Sequence, residues 1–430
     1  MPAEAGGAPS ASVLLISQPN RGSEPIVPMR CISRRADTRS GRPCRLCIDL
    51  STFALGKFLE LVSSAGFRPA MQGGGAERMD AISDSRTVRH GDRRLPLVDL
   101  RGYSLPLQAG DAFLGDLASG SRFREVLRNE RHRVKCSGAP PFGQDRTHEI
   151  DGDELDAALL EQATTPEGRV IDQAIQTFSR HLADVLRRFL ATAEWKGTER
   201  IVCGGGLMEG RVGAEIVDRT GRLLRDIGES AELTRLHHAP DEAGMIGWAY
   251  ADGSGLLGRA DGFVAVDIGG TNVRWATVKR NGPLVSGREP EVVHHDKWSH
   301  AEENADRAGL LDRIAVGIVE MIRHAERDAF ELSPMIGISC PGVMRPDGRF
   351  SDGCQNLPGE WCDGSFSLPD EIGHRLRERG IPDRVVALHN DAVIQALSET
   401  PWMQDVERWA AVTMGTGLGN CSFENRRRQT

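Results

Sequence analysis

Two glycine-rich segments and two aspartates are the residues whose type and spacing could do chemistry. The first segment is Asp267–Ile268–Gly269–Gly270–Thr271–Asn272, and the second is Gly415–Thr416–Gly417–Leu418–Gly419–Asn420. Glycine lets a backbone turn tightly and bring its N–H groups up to a phosphate with no Cβ in the way, and a threonine hydroxyl adds a donor. Either segment alone is a weak signal, because Gly-Thr-Gly turns are common in β proteins. Asp267 strengthens it. It ends the apolar run Phe263–Val264–Ala265–Val266, where a carboxylate without a partner is costly; hydrated Mg2+ is a natural partner. Asp391, in His389–Asn390–Asp391, follows another apolar run and opens a helix-like segment. Its structural reading is a helix N-cap. Its chemical reading is a general base that takes a proton from a substrate hydroxyl during phosphoryl transfer, which depends mainly on positioning and charge neutralisation. Cys340, beside Pro341 and Gly342, reads as a buried packing thiol rather than a nucleophile.

The elements that must hold these residues alternate between buried strands and amphipathic helices. From Val170 to Leu190, the apolar residues Ile171, Ile175, Phe178, Leu182, Val185, Leu186 and Phe189 recur every three or four positions, which is one face of a helix. A strand at Arg200–Cys203 ends in Gly204–Gly205–Gly206. A helix is predicted from about Gly213 to Leu224, and Pro240–Gly244 leads into a small-residue helix around Met245–Ala249 that can pack closely. Farther on, the runs 263–267 and Val273–Val278 flank the first glycine turn. That is a hairpin, not the strand–turn–helix of a dinucleotide fold. Leu311–Ala325 is helical in pattern, and Met335–Cys340, Val385–Leu388 and Trp409–Met414 are buried strands. Helices alternating with apolar strands predict an α/β fold.

With 430 residues, 39% hydrophobic and 27% charged, the chain is long enough for two domains of ordinary size. A formal charge of -8 gives no electrostatic footprint for nucleic acid. No apolar run approaches the roughly 20 residues that span a bilayer. The short run Val13–Ile16 has no basic residue before it, so it makes a poor secretory signal. Nine scattered cysteines suit a reducing cytosol, and the single C-x-x-C of Cys44 and Cys47 has no second pair near it for zinc. Residues 1–78 mix Pro, Gly, Ser and Arg and read as loop or disorder, with one amphipathic segment at Leu50–Leu61. Gly73–Gly75 is linker-like. Met79 follows, and two readings stand: a true start at Met79 with the residues before it an extension or gene-calling artefact, or a targeting peptide in those residues.

These motifs together are similar to those of the ROK family. Asp267–Thr271, Cys340–Pro341–Gly342, Asn356–Leu357–Pro358–Gly359, Asn390–Asp391 and Gly415–Gly419 occur in that family's order and approximate spacing. The family contains bacterial glucokinases, other sugar kinases and sugar-responsive repressors on the two-lobed actin–hexokinase–Hsp70 ATPase (ribonuclease H-like) fold. The resemblance implies ATP and Mg2+ as cofactors and a sugar as substrate, in the cytoplasm, and it leaves a homodimer open. It implies Gly269, Gly270, Thr271 and Asn272 as one phosphate loop and Gly415, Thr416, Gly417 and Gly419 as the other. Gly204, Gly205 and Gly206 would lie by the adenosine. Asn356 and Asn390, with Pro341 and Gly342 beside them, would hold sugar hydroxyls; Asp391 would be the base, and Asp267 would hold the metal through water.

The order of the parts departs from the family. There, the stripe helix, the glycine triplet and the D-E-A-G-x-I-G helix follow the second phosphate loop; here they precede the first. The chain therefore resembles a circular permutant. It would have residues 79–261 as the adenosine-side lobe, 262–408 as the sugar-side lobe, and 409–430 returning to complete the first. Glu360 is inserted before Trp361, where the family has N-L-P-G-W. The family's zinc-binding segment, which also supplies a His and a Glu to the sugar, has no counterpart, so no zinc site is expected. The stretch Asp99–Arg146 occupies its approximate topological place and could supply other ligands, such as Asp99, Arg101 or Tyr103. Two rival readings remain: a sugar-sensing regulator without catalysis, and an actin- or chaperone-like ATPase. Residues 1–78 lack the paired helices of a DNA-binding module.

Overall fold

Strands of four to nine residues build two five-stranded sheets in a computed structural model that describes residues 88–109, 112–135, 141–143, 146–161, 164–258, 260–282 and 289–426. The expectations for residues 1–78, for the helix at Leu50–Leu61 and for Cys44 and Cys47 lie outside the described residues. All described residues belong to one unit, Gly75–Thr430.

In chain order, β1 (Val98–Tyr103) is followed by a small hairpin of β2 (Gln108–Ala109) and β3 (Ala112–Phe113). Next come α1 (Gly120–Lys135), α2 (Gly152–Leu160), α3 (Pro166–Leu190), β4 (Arg200–Gly204), α4 (Gly210–Asp226) and β5 (Glu232–Arg235). Two short helices, α5 (Pro240–Ile246) and α6 (Trp248–Ala251), lead into the meander β6 (Gly262–Ile268), β7 (Asn272–Lys279) and β8 (Glu291–Ser299). Then follow α7 (Arg307–Arg327), β9 (Leu332–Cys340), the small hairpin of β10 (Val343–Met344) and β11 (Phe350–Asp352), α8 (Leu368–Glu378), β12 (Val385–Asn390) and α9 (Asp391–Leu397). The hairpin of β13 (Arg408–Met414) and β14 (Leu418–Asn425) is last.

The sheets share one plan. The first has the order β1-β14-β13-β4-β5, and the second, read from its outer edge, β8-β7-β6-β9-β12. In each, three antiparallel strands are followed by two that run parallel to the third. Helices α1 to α4 cover the outer face of the first sheet, with the predicted stripe of α3 buried against it. On the second sheet, α7 and α8 cover the outer face. Between the sheets lie α5, α6 and α9, whose apolar side chains form one core with the two inner faces. Each such side chain contributes roughly 1.5–3 kcal/mol on leaving water. Among the described residues, no helix is long and apolar enough to cross a membrane.

Local chemistry explains where elements begin. The Thr165 hydroxyl accepts from the Gly168 amide at 3.0 Å, with Pro166 in the first turn of α3, and Asp306 Oδ1 accepts from Gly309 N at 2.8 Å to start α7. Both are ordinary N-caps. Helix α4 begins at Gly210, three residues before its apolar pattern suggests. The cap comes from elsewhere in the chain: the Asp156 carboxylate on α2 accepts from Arg211 N at 2.7 Å and Val212 N at 2.8 Å. Strand β8 was not expected. It is an edge strand that alternates between exposed and half-buried positions, so it carries no apolar run.

Candidate active site

Across one end of the second sheet runs a row of polar side chains. Lys297 on β8 pairs in register with Arg274 on β7, Arg274 with Asp267 on β6, and Asp267 with Ser339 on β9. Asp267 keeps only 13% of its side-chain surface exposed. It is satisfied from both sides, by the Ser339 hydroxyl at 2.9 Å and by Arg274 Nη1 at 3.1 Å. Helix α5 lies over this row. Its Asp241 accepts from Arg274 Nε at 2.7 Å and from Lys297 Nζ at 2.8 Å, and Ser339 Oγ lies 3.2 Å from the Gly244 carbonyl. One turn later, α5 meets α9 so closely that a Cβ on Gly247 would fall 1.7 Å from the Ile394 carbonyl oxygen. Only glycine fits at that crossing. Burial works against a charge on Arg274, but the carboxylates of Asp267 and Asp241 outweigh it and hold the guanidinium charged.

The two glycine turns meet. Gly269 N donates to Asn272 O at 2.8 Å and closes the first turn, and Gly415 N donates to Gly417 O at 3.1 Å and closes the second. Across the gap, Thr271 Oγ1 and Thr416 Oγ1 are 3.2 Å apart. Both turns are braced from outside. The buried His300 contacts the Gly269 carbonyl through Nε2 at 2.9 Å, and the Ser121 hydroxyl donates to Thr416 O at 2.9 Å. Asn356, exposed, stands between the turns: a Cβ on Gly270 would lie 3.3 Å from Asn356 Cβ, and one on Gly417 would lie 3.6 Å from its Nδ2.

Asn390 and Asp391 divide two tasks. Asn390 Oδ1 accepts from Val393 N at 3.2 Å and caps α9, and its Nδ2 donates to the Gly342 carbonyl at 3.1 Å and toward Ser104 Oγ at 3.3 Å. It is 2% exposed. The sequence reading gave Asn390 to sugar hydroxyls; here it lines the cleft, with its amide hydrogens bonded to the Gly342 carbonyl and toward Ser104. With that cap supplied, Asp391 adds only a bond from the Ala392 amide to its Oδ1 at 2.9 Å. The Asp391 carboxylate lines the cleft, and burial pushes its pKa up to about 7, with the charge of Asp267 adding to the rise. His389, two residues earlier, accepts the Asn390 amide on Nδ1 at 2.8 Å and faces the Asp92 carbonyl with Nε2 at 3.1 Å. Burial lowers its pKa to about 4, so it stays neutral.

These groups surround one cleft of about 560 Å³. Asp267, Gly269, Gly270, Thr271 and Asn272 line it from the second sheet, and Gly415, Thr416, Gly417 and Gly419 from the first. Pro341, Gly342, Asn356, Asn390 and Asp391 line it too, as do Gly205 and Gly206. Gly204 does not reach the cleft. It ends β4 and packs behind, where a Cβ would meet Leu236 and Gln395 at 2.7 and 2.8 Å. Gly205 has φ +90°, and a Cβ there would lie 2.5 Å from the Met414 carbonyl.

The substitutes suggested for the missing segment are not at the cleft. Arg101 pairs with Glu424 at 2.9 Å, Asp99 sits exposed on β1, and the Tyr103 hydroxyl accepts from Met344 N at 3.2 Å. The residues just after them, Ser104 to Leu107, line it instead. Sequence reasoning missed Arg274, Lys297 and Asp241. A single arginine in the apolar strand Val273–Val278 was the available signal.

Oxygen donors in the cleft suit a hard cation. Asp267 and Asp391 retain acceptor capacity, and among the described residues no three His, Cys, Asp or Glu side chains converge into a cage. Such a set fits a Mg2+ that keeps its waters and is held chiefly by a ligand's phosphates.

No family model matches the chain, and no curated protein matches it. Among solved structures, it is similar to the Lmo2764 protein of Listeria monocytogenes, described provisionally as an N-acetylmannosamine kinase. The identity is 24%, covering 38% of this chain and 47% of that one, with a TM-score of 0.27. A Schistosoma mansoni hexokinase complexed with glucose matches at 19% identity, covering 39% and 41%, with a TM-score of 0.29. A Ppx/GppA phosphatase of Aquifex aeolicus matches at 12%, covering 57% and 87%, with a TM-score of 0.24. The chain spans less than half the length of the Listeria monocytogenes and Schistosoma mansoni proteins. At these TM-scores the likenesses carry no argument about activity.

Proposed function

We propose that this chain transfers the γ-phosphoryl group of ATP to a hydroxyl of a hexose or related sugar, with Asp391 as general base. The observation that carries this reading is the meeting of Thr271 and Thr416 across a cleft that also contains Asp391 and Asp267. Two hairpin turns rich in glycine line the cleft from the two sheets, and such backbone, bare of Cβ atoms, suits a chain of phosphates. Gly205 and Gly206 would border the adenosine. Mg2+, when bound, would neutralise charge on the phosphate oxygens, and Asp267 would hold it through water. Asp391, with a pKa near 7, is poised to take a hydroxyl proton at neutral pH. Asn356 would orient the sugar, and Asn390 would fix the backbone from which Asp391 projects. The shared strand plan of the sheets supports the further proposal of a ribonuclease H-like pair of lobes in permuted order, with residues 79–261 and 409–430 in one lobe and 262–408 in the other. The permutation accounts for β1 coming from early sequence yet joining β13 and β14.

The test is ATP consumption with Mg2+ across a panel of hexoses, aminosugars and polyols, with the phosphorylated products identified. The expected result is turnover that depends strongly on one class of sugar. Hydrolysis that proceeds equally without any sugar would overturn the proposal in favour of an ATPase.

A further inference from the structure

Lys297 and Arg274 are two cations at a cleft read above as a phosphate site, yet neither glycine turn contains them. They are cross-strand partners on β8 and β7. One carboxylate holds both: Asp241 Oδ1 takes Arg274 Nε at 2.7 Å, and Asp241 Oδ2 takes Lys297 Nζ at 2.8 Å. All three line the cleft. Arg274 also reaches under the first glycine turn, where a Cβ on Gly269 would lie 3.7 Å from its Nη1. The two grips on Arg274 differ in permanence. Asp267 is 13% exposed and braced by Ser339, whereas Asp241 is 50% exposed and Lys297 is 48% exposed. Solvent-facing ion pairs are weak and exchange their partners readily. A phosphate carries more charge than a carboxylate and matches a guanidinium fork with two oxygens.

Resting on the kinase reading, we propose that Arg274 and Lys297 form an oxyanion-binding pair for the terminal phosphate of the nucleotide, and that Asp241 is a stand-in anion which the phosphate displaces. The chemical class recognised is an inorganic or nucleotide polyphosphate. Asp241 comes from the helix that follows β5 of the first sheet, while its two cations belong to the second. Arrival of the phosphate therefore exchanges an ion pair between the sheets for one with the ligand.

Calorimetric titration of inorganic tripolyphosphate, in the presence of Mg2+ and at fixed salt, tests this without any turnover. Lys297→Gln should weaken binding about tenfold, and Lys297→Arg should restore most of it. Asp241→Asn should tighten binding several-fold, because the competing anion is gone. Thermal unfolding of each variant confirms that it is folded; Lys297 lies on an edge strand, so its replacement leaves the core intact. Unchanged affinity in Lys297→Gln, equal or weaker affinity in Asp241→Asn, or no binding to the wild-type chain would each overturn the inference. Failure of the kinase reading looks different: tripolyphosphate binding would depend on Lys297 while no sugar supported ATP turnover.

Discussion

Asn390 caps the helix that Asp391 begins. The Asn390 side-chain oxygen accepts from the Val393 amide at 3.2 Å, so that capping bond does not fall to the aspartate in the first turn. A carboxylate at the start of a helix usually answers the free backbone amides there. Here Asn390 answers the Val393 amide, Asp391 Oδ1 takes the Ala392 amide at 2.9 Å, and the Asp391 carboxylate still lines the cleft at the cost of desolvation.

Replacing Asp391 with Asn should therefore leave α9 intact and abolish base catalysis. Turnover should fall by about a hundredfold or more, while binding of a non-hydrolysable ATP analogue, measured by calorimetry, should stay within a few-fold. Turnover that survives the change would show that the carboxylate takes no part in the reaction.

The pH dependence follows from the same residue. Burial, with a further contribution from Asp267, raises the Asp391 pKa to about 7, and the base must be ionised to act. The rate at low sugar concentration should climb tenfold per pH unit below about 7 and level off above it. Stability should run the opposite way. A folded-state pKa above the unfolded value favours the protonated form, so this contribution is fully present below about pH 4 and is lost as pH rises through 7. Above pH 7, Asp391→Asn should be more stable than the wild-type chain by on the order of a few kcal/mol at most, as read by denaturant unfolding at two pH values.

Asn356 is exposed between the two turns, whereas Asn390 is buried and committed. Asn356→Ala should raise the KM for sugar about tenfold, the loss of one good hydrogen bond, with little change in the KM for ATP. Equal loss in both constants would place Asn356 with the phosphates instead.

Gly205→Ala should damage the fold before the chemistry. The position needs φ +90°, and the new Cβ would lie 2.5 Å from the Met414 carbonyl. Strain and clash together should cost about 3 kcal/mol, visible as a lower Tm in calorimetry. Ser121→Ala, which removes only a brace on Thr416, should cost about 1 kcal/mol.

What could be seen in the sequence was whatever left an uninterrupted apolar signature. The stripe of α3 and the strands β4, β6, β9, β12 and β13 were legible for that reason, and so were the two glycine turns that interrupt or end such runs. Strand β8 was not, because an edge strand with one face in water needs no apolar run; Glu291, His294, Asp296 and Lys297 break up any such signal. That omission hid Lys297. Asp241 stood in plain view within D-E-A-G-x-I-G, but its partners lie 33 and 56 residues away, a separation that no local pattern reports. Asp99, Arg101 and Tyr103 were chosen for their chemistry. Pairing of β1 with β14 turned them to structural duty and left Ser104 to Leu107 at the cleft.

In the sheet order β1-β14-β13-β4-β5, the two middle strands are the last to emerge during synthesis. Strand β1 must wait without a partner, and the β4–β5 pair without its inner neighbour, until the ribosome has delivered Arg408 to Asn425. The meander β6–β7–β8 faces no such delay, so the half of the molecule encoded second can mature first. Contacts spanning more than three hundred residues, such as Val98 with Asn425, close slowly and leave sticky edges open meanwhile. A nascent chain paused before β13 should be a ready client for holding chaperones.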